Sequence, residues 1–280
     1  MKTLYILVSA AFVSLLVASC EEVIELDLDT QDSQLVIEGI VSDRPGPYQV
    51  LISKTVDFYD DNTFPVEENA TVRLSSDQGE SEVLVQTSPG VYESTQMQGQ
   101  RGVNYTLDVD VAGTSYSASS RLPKEQIVID SISVGYKKES LFQEEGYYAI
   151  AYFDDPPDAE NYYRLQVLVN GEPYIFYDED EETPEDGTED DNLYLLSDKF
   201  TNGNVQDYEF PQQLEPGDTI NVRLQQLDRN TYDYYRTLVN VLSGGGIAPA
   251  NPITNWTPEA LGYFGAISET KSTVVVPEEE

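Results

Sequence analysis

Short runs of alternating apolar and polar residues, closed by glycine and proline turns, dominate the chain beyond its N-terminal segment. Between Tyr105 and Val111 an apolar side chain recurs at every second position, with a threonine and aspartates between. A period of two is typical of a strand that buries one face. Turn signals such as Arg44-Pro45-Gly46-Pro47 and Asp77-Gln78-Gly79 separate successive runs. The pattern predicts an all-β protein made of many short strands.

The first half of this pattern is dense enough to predict a complete sandwich. Its expected strands lie at 35–41, 49–53, 70–75, 81–86, 91–93, 105–111 and 114–119. Strands this short and this closely spaced predict an immunoglobulin-like β-sandwich over residues 34–123. The break at Leu122-Pro123-Lys124 marks the expected domain boundary.

A second β-rich region follows, and it contains one helical segment. Its expected strands lie at 127–134, 147–153, 163–169, 172–177, 193–196, 206–210 and 219–224. Tyr232, Tyr235, Val239 and Leu242 recur at helical spacing before a run of three glycines. The sequence therefore predicts a second immunoglobulin-like sandwich over 124–275 with a short helix at 231–242.

The N-terminus has the features of a lipoprotein signal peptide over residues 1–19. Lys2 precedes an uncharged apolar run that is shorter than the ~20 residues a spanning helix needs. The segment Val17-Ala18-Ser19-Cys20 resembles a bacterial lipobox, in which cleavage before the cysteine precedes lipidation of its thiol. Cys20 is the only cysteine in the chain. Since two or more acyl chains (palmitate among them) anchor stably, we expect a protein held on the outer membrane.

An acidic linker over residues 20–33 follows the lipidation site. Glu21 and Glu22 stand directly behind Cys20, and this arrangement resembles the export signal of Bacteroidota surface lipoproteins. The alternative interpretation is a solvated linker. We take the first interpretation as the prediction, which places the protein on the cell surface.

Charge and composition exclude several classes of function. The net charge of −36 argues against a nucleic-acid partner, because a phosphate backbone is bound by cationic surfaces. The chain has no histidine, which removes the Ser-His-Asp and Cys-His arrangements and the usual general base. Asp154 and Asp155 remain as a candidate acid/base pair for glycoside cleavage. A loop tip between strands is the favoured interpretation, so no catalytic residue is predicted.

Two groups of residues are candidates for binding. The acidic loop at 178–191 offers carboxylate oxygens for Ca²⁺ from Asp178, Asp180, Asp186 and Asp190. The alternative for this loop is a self-repelling hairpin extension, and no other cofactor is expected. Aromatic side chains that offer a large amphipathic contact area are predicted to meet a ligand or partner; they are Tyr148, Tyr162, Tyr177 and Trp256.

An ordered set of short motifs resembles a known family. After the lipobox come Pro65-Val66 with Ala70, Val72 and Leu74, then Asn161-Tyr162-Tyr163-Arg164, Ser197-Asp198-Lys199-Phe200, Tyr234-Tyr235-Arg236 and Leu261-Gly262-Tyr263-Phe264-Gly265-Ala266. Together they resemble the Bacteroidota lipoprotein family of the domain of unknown function DUF4249. Its members are similar to proteins encoded beside SusC-type TonB-dependent receptors. The resemblance implies an accessory that captures or gates a ligand at such a receptor.

Three functions stay open at this point. The first is a non-catalytic accessory of a TonB-dependent transporter, which the absence of histidine and of a nucleophile motif favours. The second is a carboxylate-dependent surface hydrolase, and the third is an envelope adhesion or scaffold protein.

Overall fold

The structure is a computed structural model that describes residues 33–56, 63–141, 143–157, 159–173, 193–211, 213–242 and 251–278. The predicted signal peptide, Cys20, the export signal at Glu21 and Glu22, and the acidic loop 178–191 lie outside these ranges. No helix within the described ranges is both long and apolar enough to cross a membrane.

The first sandwich has the strand order of an immunoglobulin domain. Its strands are β1 (Leu35–Ser42), β2 (Gln49–Lys54), β3 (Thr71–Ser76), β4 (Ser81–Val83), β5 (Val85–Ser88), β6 (Val91–Glu93), β7 (Asn104–Val111) and β8 (Thr114–Arg121). One face has the order β1-β2-β6-β5, and the other is a four-stranded sheet with the order β4-β3-β7-β8. These orders correspond to A-B-E-D and C′-C-F-G of the immunoglobulin fold.

The second sandwich follows the same scheme with one strand fewer on its smaller face. Its elements are β9 (Ser131–Lys137), β10 (Gly146–Asp154), β11 (Tyr162–Val169), β12 (Glu172–Pro173), β13 (Tyr194–Ser197), β14 (Val205–Glu209), β15 (Thr219–Leu227), helix α1 (Arg229–Leu242) and β16 (Phe264–Val275). A three-stranded sheet β14-β10-β9 faces the order β12-β11-β15-β16, with β13 also paired to β11.

Buried and partly exposed side chains alternate along the strands, as the sequence pattern predicts, and the buried ones form two cores. Tyr105, Leu107 and Val109 of β7 are fully buried in the first core, whereas the residues between them are partly exposed. Phe153 and Tyr163 are fully buried in the second core, with ring centroids 4.9 Å apart. The all-β, sandwich-like class with a short helix is confirmed for the described residues.

One strand joins the two sandwiches, and it corrects the predicted domain boundary. The first part of β16, Phe264–Ile267, pairs in parallel with Gly39–Ser42 of β1. Its second part, Ser268–Val275, pairs antiparallel with β15. Both sandwiches therefore share one nine-stranded sheet, and residues 33–280 form one compact unit. The segment that includes Trp256 and Phe264 packs in the first core, although it was assigned to the second domain.

Helix α1 begins at an aspartate that also connects the two sandwiches. Asp228 Oδ1 accepts a hydrogen bond from the backbone N–H of Thr231 at 2.9 Å, which satisfies a free donor of the first helical turn. Its other oxygen accepts from Ser120 Oγ of β8 at 2.8 Å. Ser120 Oγ in turn accepts from the N–H of Ala266 in β16 at 2.7 Å. The predicted helix is confirmed, and this aspartate attaches its start to both halves of the molecule.

A second carboxylate holds an irregular segment against β4. Glu82 accepts backbone N–H hydrogen bonds from Thr95 at 2.6 Å, Gln96 at 3.2 Å and Met97 at 2.8 Å. Burial alone raises the pKa of the Glu82 carboxyl, but these hydrogen bonds outweigh it and the pKa is lowered. The ionised form is therefore the one that stabilises the fold.

Replacing Glu82 with glutamine is expected to lower the free energy of unfolding by about 1–2 kcal/mol at pH 7, because an amide nitrogen cannot accept these bonds. A lowered folded-state pKa contributes stability above the unfolded-state pKa, and that contribution is lost as the pH falls through the folded-state pKa. The difference between the two proteins should accordingly begin to shrink only below about pH 4.3, the ordinary pKa of a glutamate, and should be lost once the pH has fallen through the lower folded-state pKa. Urea unfolding across this pH range measures it; an unchanged difference at low pH would contradict the charge-based explanation.

Candidate functional site

The aromatic side chains that the sequence predicted for contact with a ligand or partner lie in the interior. Tyr148, Tyr162 and Trp256 are 4%, 7% and 4% exposed, so the prediction of an exposed contact surface was wrong for all three. Trp256 packs in the first core and donates from Nε1 to the carbonyl oxygen of Ile37 at 3.0 Å. Tyr177 lies outside the described residues, as do the predicted calcium ligands Asp178, Asp180, Asp186 and Asp190.

The error for Tyr162 has a clear structural cause. Adjacent residues of a strand point to opposite faces of the sheet, so Tyr162 lies on the outer face when Tyr163 lies in the core. Helix α1 covers that outer face, and the ring of Tyr232 lies 4.7 Å from the ring of Tyr162. Burial, with the nearby Glu160 carboxylate, raises the pKa of Tyr162 to about 12.

Asp154 and Asp155 do not form a catalytic pair across a cleft. Asp154 is exposed at the end of β10, whereas Asp155 is 5% exposed. One oxygen of Asp155 accepts from the hydroxyl of Tyr163, and the other accepts from the N–H of Gly203 at 2.8 Å. Asp155 is therefore an interior hydrogen-bond acceptor and not the loop tip that the sequence suggested.

A second buried acid beside Asp155 is a residue that the sequence did not single out for chemistry. Asp198 is 1% exposed, and its Oδ2 accepts from the backbone N–H of Asn161 at 2.8 Å and from the Asn161 amide at 3.2 Å. Its Oδ1 has no donor among the described residues. Burial raises the pKa of Asp198, and the Asp155 carboxyl within hydrogen-bonding reach raises it further. Two buried carboxyls thus meet at the base of the β13–β14 loop.

Replacing Asp198 with asparagine is expected to raise the free energy of unfolding by about 1 kcal/mol at pH 7 to 8, because the new amide donates to Asp155 and removes a buried charge. Because the pKa of Asp198 is raised in the folded wild-type protein, ionisation of this carboxyl costs stability as the pH rises through that pKa. The stability gained by Asp198→Asn should therefore shrink towards pH 4, where Asp198 is protonated in the wild-type protein. Denaturant titrations across this range measure the difference.

The matched control is Asp155→Asn. It places an amide where Tyr163 and Gly203 both need an acceptor, and it should destabilise the protein by about 1–3 kcal/mol. Destabilisation by Asp198→Asn at pH 8 would contradict the account of the pair.

An open cavity lies on the outer face of the shared sheet. A cavity of about 720 Å³ is bounded by strands β1 and β2 on one side and by helix α1 on the other. We call it the tyrosine groove, after Tyr48, Tyr234, Tyr235 and Tyr263 in its lining. Those four side chains are buried and form the floor of the groove. Leu51 of β2 belongs to the same lining and is 43% exposed.

The tyrosines of the groove are held in one orientation by polar and aromatic contacts. The hydroxyls of Tyr235 and Tyr263 are hydrogen-bonded to each other, and the rings of Tyr234 and Tyr263 stack 4.3 Å apart. Arg164 donates from Nη1 to the Tyr235 hydroxyl at 2.9 Å, with its guanidinium 4.5 Å above that ring. Burial holds the pKa of Tyr263 well above its ordinary value, so its hydroxyl stays neutral. These contacts thus give the groove a rigid floor of buried tyrosines.

The tyrosines that line this groove are different from the aromatic residues that were predicted. Tyr235 was assigned to the apolar face of the helix, and Tyr48 carried no distinguishing pattern. A signal was present for Tyr234, Tyr235 and Tyr263, because all three belong to the motifs that carry the family resemblance. The pattern did not show that these motifs meet in space.

The fold defines an all-β protein of two joined sandwiches with a short helix. The family model described as Domain of unknown function (DUF4249) matches residues 21–273, so the chain belongs to that family. A comparison with curated proteins gave no match. Within the ranges that the structure describes, no three Asp, Glu, His or Cys side chains are grouped to hold a metal ion.

Proposed function

We propose that this chain is a lipid-anchored protein of the outer membrane, exposed on the cell surface, that acts as a non-catalytic accessory of a SusC-type TonB-dependent transporter. Support for the anchor comes from the apolar leader that ends at Cys20 and from the acidic residues Glu21 and Glu22. Support for the partner comes from the family resemblance.

The tyrosine groove is the observation that carries the proposal. The four tyrosines that name the groove are buried and form its rigid floor, so a docked segment would contact the exposed part of the lining, where Leu51 is 43% exposed. Hydrogen bonds and stacking already orient Tyr235 and Tyr263, so little ordering is needed when a partner docks. We infer that the groove receives a segment of the transporter.

The geometry of the carboxyl groups favours this role over hydrolysis. A glycoside hydrolase needs two carboxyls that face the scissile bond across a cleft. Both oxygens of Asp155 accept hydrogen bonds from the protein itself, and Asp198 is 1% exposed. A substrate cannot approach either carboxyl without unfolding the loops around it.

A detergent pull-down of the tagged chain from its native outer membrane tests the partnership, with Cys20→Ala as the control for anchoring. We expect a large β-barrel protein in stoichiometric amount, and its loss in the control. Recovery of the lipoprotein alone, still bound to the membrane, would overturn the accessory role and favour an adhesion or scaffold protein.

A pair of surface variants tests whether the groove is the contact. Leu51→Glu places a charge in the groove, whereas Val205→Glu places the same charge on β14, where the side chain is 60% exposed. The first variant should reduce recovery of the barrel at least about tenfold, as expected for a buried unpaired charge at an interface, and the second should leave recovery unchanged. Equal recovery with both would place the contact elsewhere.

A further inference from the structure

Another cavity, of about 680 Å³, lies along the open edge of strand β4 in the first sandwich. One wall is β4 with Glu80 before it, and the other wall is formed by residues 95–98 and Gln100. Strand β4 stands at the edge of its sheet, because the strand order there is β4-β3-β7-β8. We call this cavity the edge groove. It shares no lining residue with the tyrosine groove and is therefore a separate candidate for binding.

Hydrogen bonds to β3 show which backbone groups of β4 are already used. At one end Glu80 O accepts from the N–H of Ser76 at 2.9 Å, and at the other end the N–H of Leu84 donates to Val72 O at 2.8 Å. Residues that bond directly to the neighbouring strand alternate along an antiparallel pair. Glu82 lies midway between these two positions and in register with β3, so its backbone N–H and C=O also face β3.

Ser81 and Val83 therefore direct their backbone N–H and C=O groups away from β3, towards the groove. Both residues line the cavity and are exposed, Val83 by 46%. No hydrogen bond joins either backbone to any described residue on that side of the strand. Unpaired N–H and C=O groups along a sheet edge are a template for a further strand. The edge groove thus offers main-chain donors and acceptors with the spacing of a β-ladder.

The opposite wall adds side chains of matching chemistry. Gln96, Gln98 and Gln100 are exposed, and their side-chain amides form no hydrogen bond with a described residue. An amide side chain carries both donors and an acceptor, which complements a peptide backbone. The carboxylate of Glu82 fixes this wall by accepting from the N–H groups of residues 95–97. The wall is therefore held in place in the free protein.

Charge identifies the kind of segment that fits. Glu80 is exposed and forms no ion pair with any described residue. No lysine or arginine belongs to the described lining of the groove. The chain's own linker at residues 20–33 is acidic, and a second copy would bring its net charge of −36 against an equal charge. A cationic segment of another protein is therefore favoured over both.

We propose that the edge groove binds an extended peptide segment of another protein, one that contains lysine or arginine, by strand addition to β4. The backbone of the segment pairs with Ser81 and Val83, and the glutamines of the opposite wall bond to its remaining polar groups. A cationic side chain of the segment lies near Glu80. This site does not depend on the proposed transporter contact, because the edge groove and the tyrosine groove have no residue in common.

Two peptides of equal length test the charge requirement on the full-length chain in detergent. One is acetyl-Thr-Lys-Val-Lys-Thr-Lys-Val-amide, and the other has glutamate in place of each lysine. Fluorescence anisotropy of the labelled peptides at low salt should show at least about tenfold tighter binding of the lysine peptide. No binding of the lysine peptide at millimolar concentration, or equal binding of the two peptides, would overturn the proposal.

Hydrogen exchange shows whether this binding occurs at β4, since a strongly acidic chain attracts cations in general. In the free protein the amides of Ser81 and Val83 should exchange fast and the amide of Glu82 slowly. Saturation with the lysine peptide should slow the first two at least about tenfold and leave Glu82 unchanged. Protection of Ser81 and Val83 without peptide, growing with protein concentration, would show a second copy at this edge and overturn the proposal.

Substitutions on β4 separate backbone pairing from charge attraction. Val83→Pro removes the outward N–H, a change that edge strands tolerate, and should weaken binding of the lysine peptide by about tenfold. Val83→Thr changes the same side chain, keeps the N–H and should bind like the wild type. Circular dichroism confirms that each variant is folded. If Val83→Pro does not fold, Ser81→Pro with Ser81→Ala as its control makes the same test. Unchanged affinity in a folded proline variant would overturn strand addition.

Discussion

Replacing Gly262 with alanine is expected to lower the free energy of unfolding by at least about 3 kcal/mol and to leave little folded protein. Gly262 has φ +80°, and a Cβ there would lie 2.3 Å from the carbonyl oxygen of Ile37. The residues on either side are held in place, because Leu261 O accepts from Ile37 N at 2.9 Å and Tyr263 O accepts from Gly39 N at 3.0 Å. Relief of the clash therefore requires separating β1 from the segment that leads into β16.

A matched control separates the clash from the backbone conformation. Gly79 has φ +91° with nothing within 4 Å of its Cβ position, so Gly79→Ala tests the left-handed conformation alone. Its cost should stay near 1–2 kcal/mol, roughly the penalty of that conformation for an L-residue. Urea unfolding followed by circular dichroism measures both variants. Similar losses at the two positions would contradict a role for the contact with Ile37.

Replacing Trp256 with alanine is expected to cost about 3–5 kcal/mol, the range for removal of a large buried aromatic side chain. Trp256 is 4% exposed, and its ring fills part of the first core. The change also leaves the Ile37 carbonyl oxygen without the indole donor that lies 219 positions away in sequence. Because β16 belongs to both sandwiches, we expect one cooperative transition at a lower urea concentration, not selective loss of the first sandwich.

The control for this variant is Trp256→Phe, which keeps an aromatic ring and removes the N–H donor. Its cost should be about 1–3 kcal/mol, the range for a buried acceptor that loses its partner. Intrinsic tyrosine fluorescence and circular dichroism follow both variants. A second transition at the wild-type urea concentration would show that the second sandwich folds independently of the first, against the shared strand.

Catalysis, metal binding and partner contact were the hardest matters to predict from the sequence. The four predicted calcium ligands stay a prediction outside the described residues. Asp155 was considered as a solvent-facing acid, but Tyr163 and Gly203 bind both of its oxygens. The burial of Asp198 had no sequence signal, since aspartates are most often exposed.

By itself the sequence determined most of the strands, the approximate start of the helix and the sandwich class. These properties depend on the order of nearby residues, as in the alternation along β7 and the helical spacing of Tyr232 and Tyr235. The prediction did not include β16, because Phe264–Ile267 is buried on both faces and shows no alternation.

Only the tertiary structure decided which distant segments meet. It placed Trp256 in the first core, covered Tyr162 with helix α1, and brought Asp155 against Asp198. It also assembled the tyrosine groove from β1, β2 and a helix nearly two hundred positions further along the chain. The physical reason is that local periodicity shows which face of an element is apolar, whereas the partner of that face depends on packing across the whole molecule.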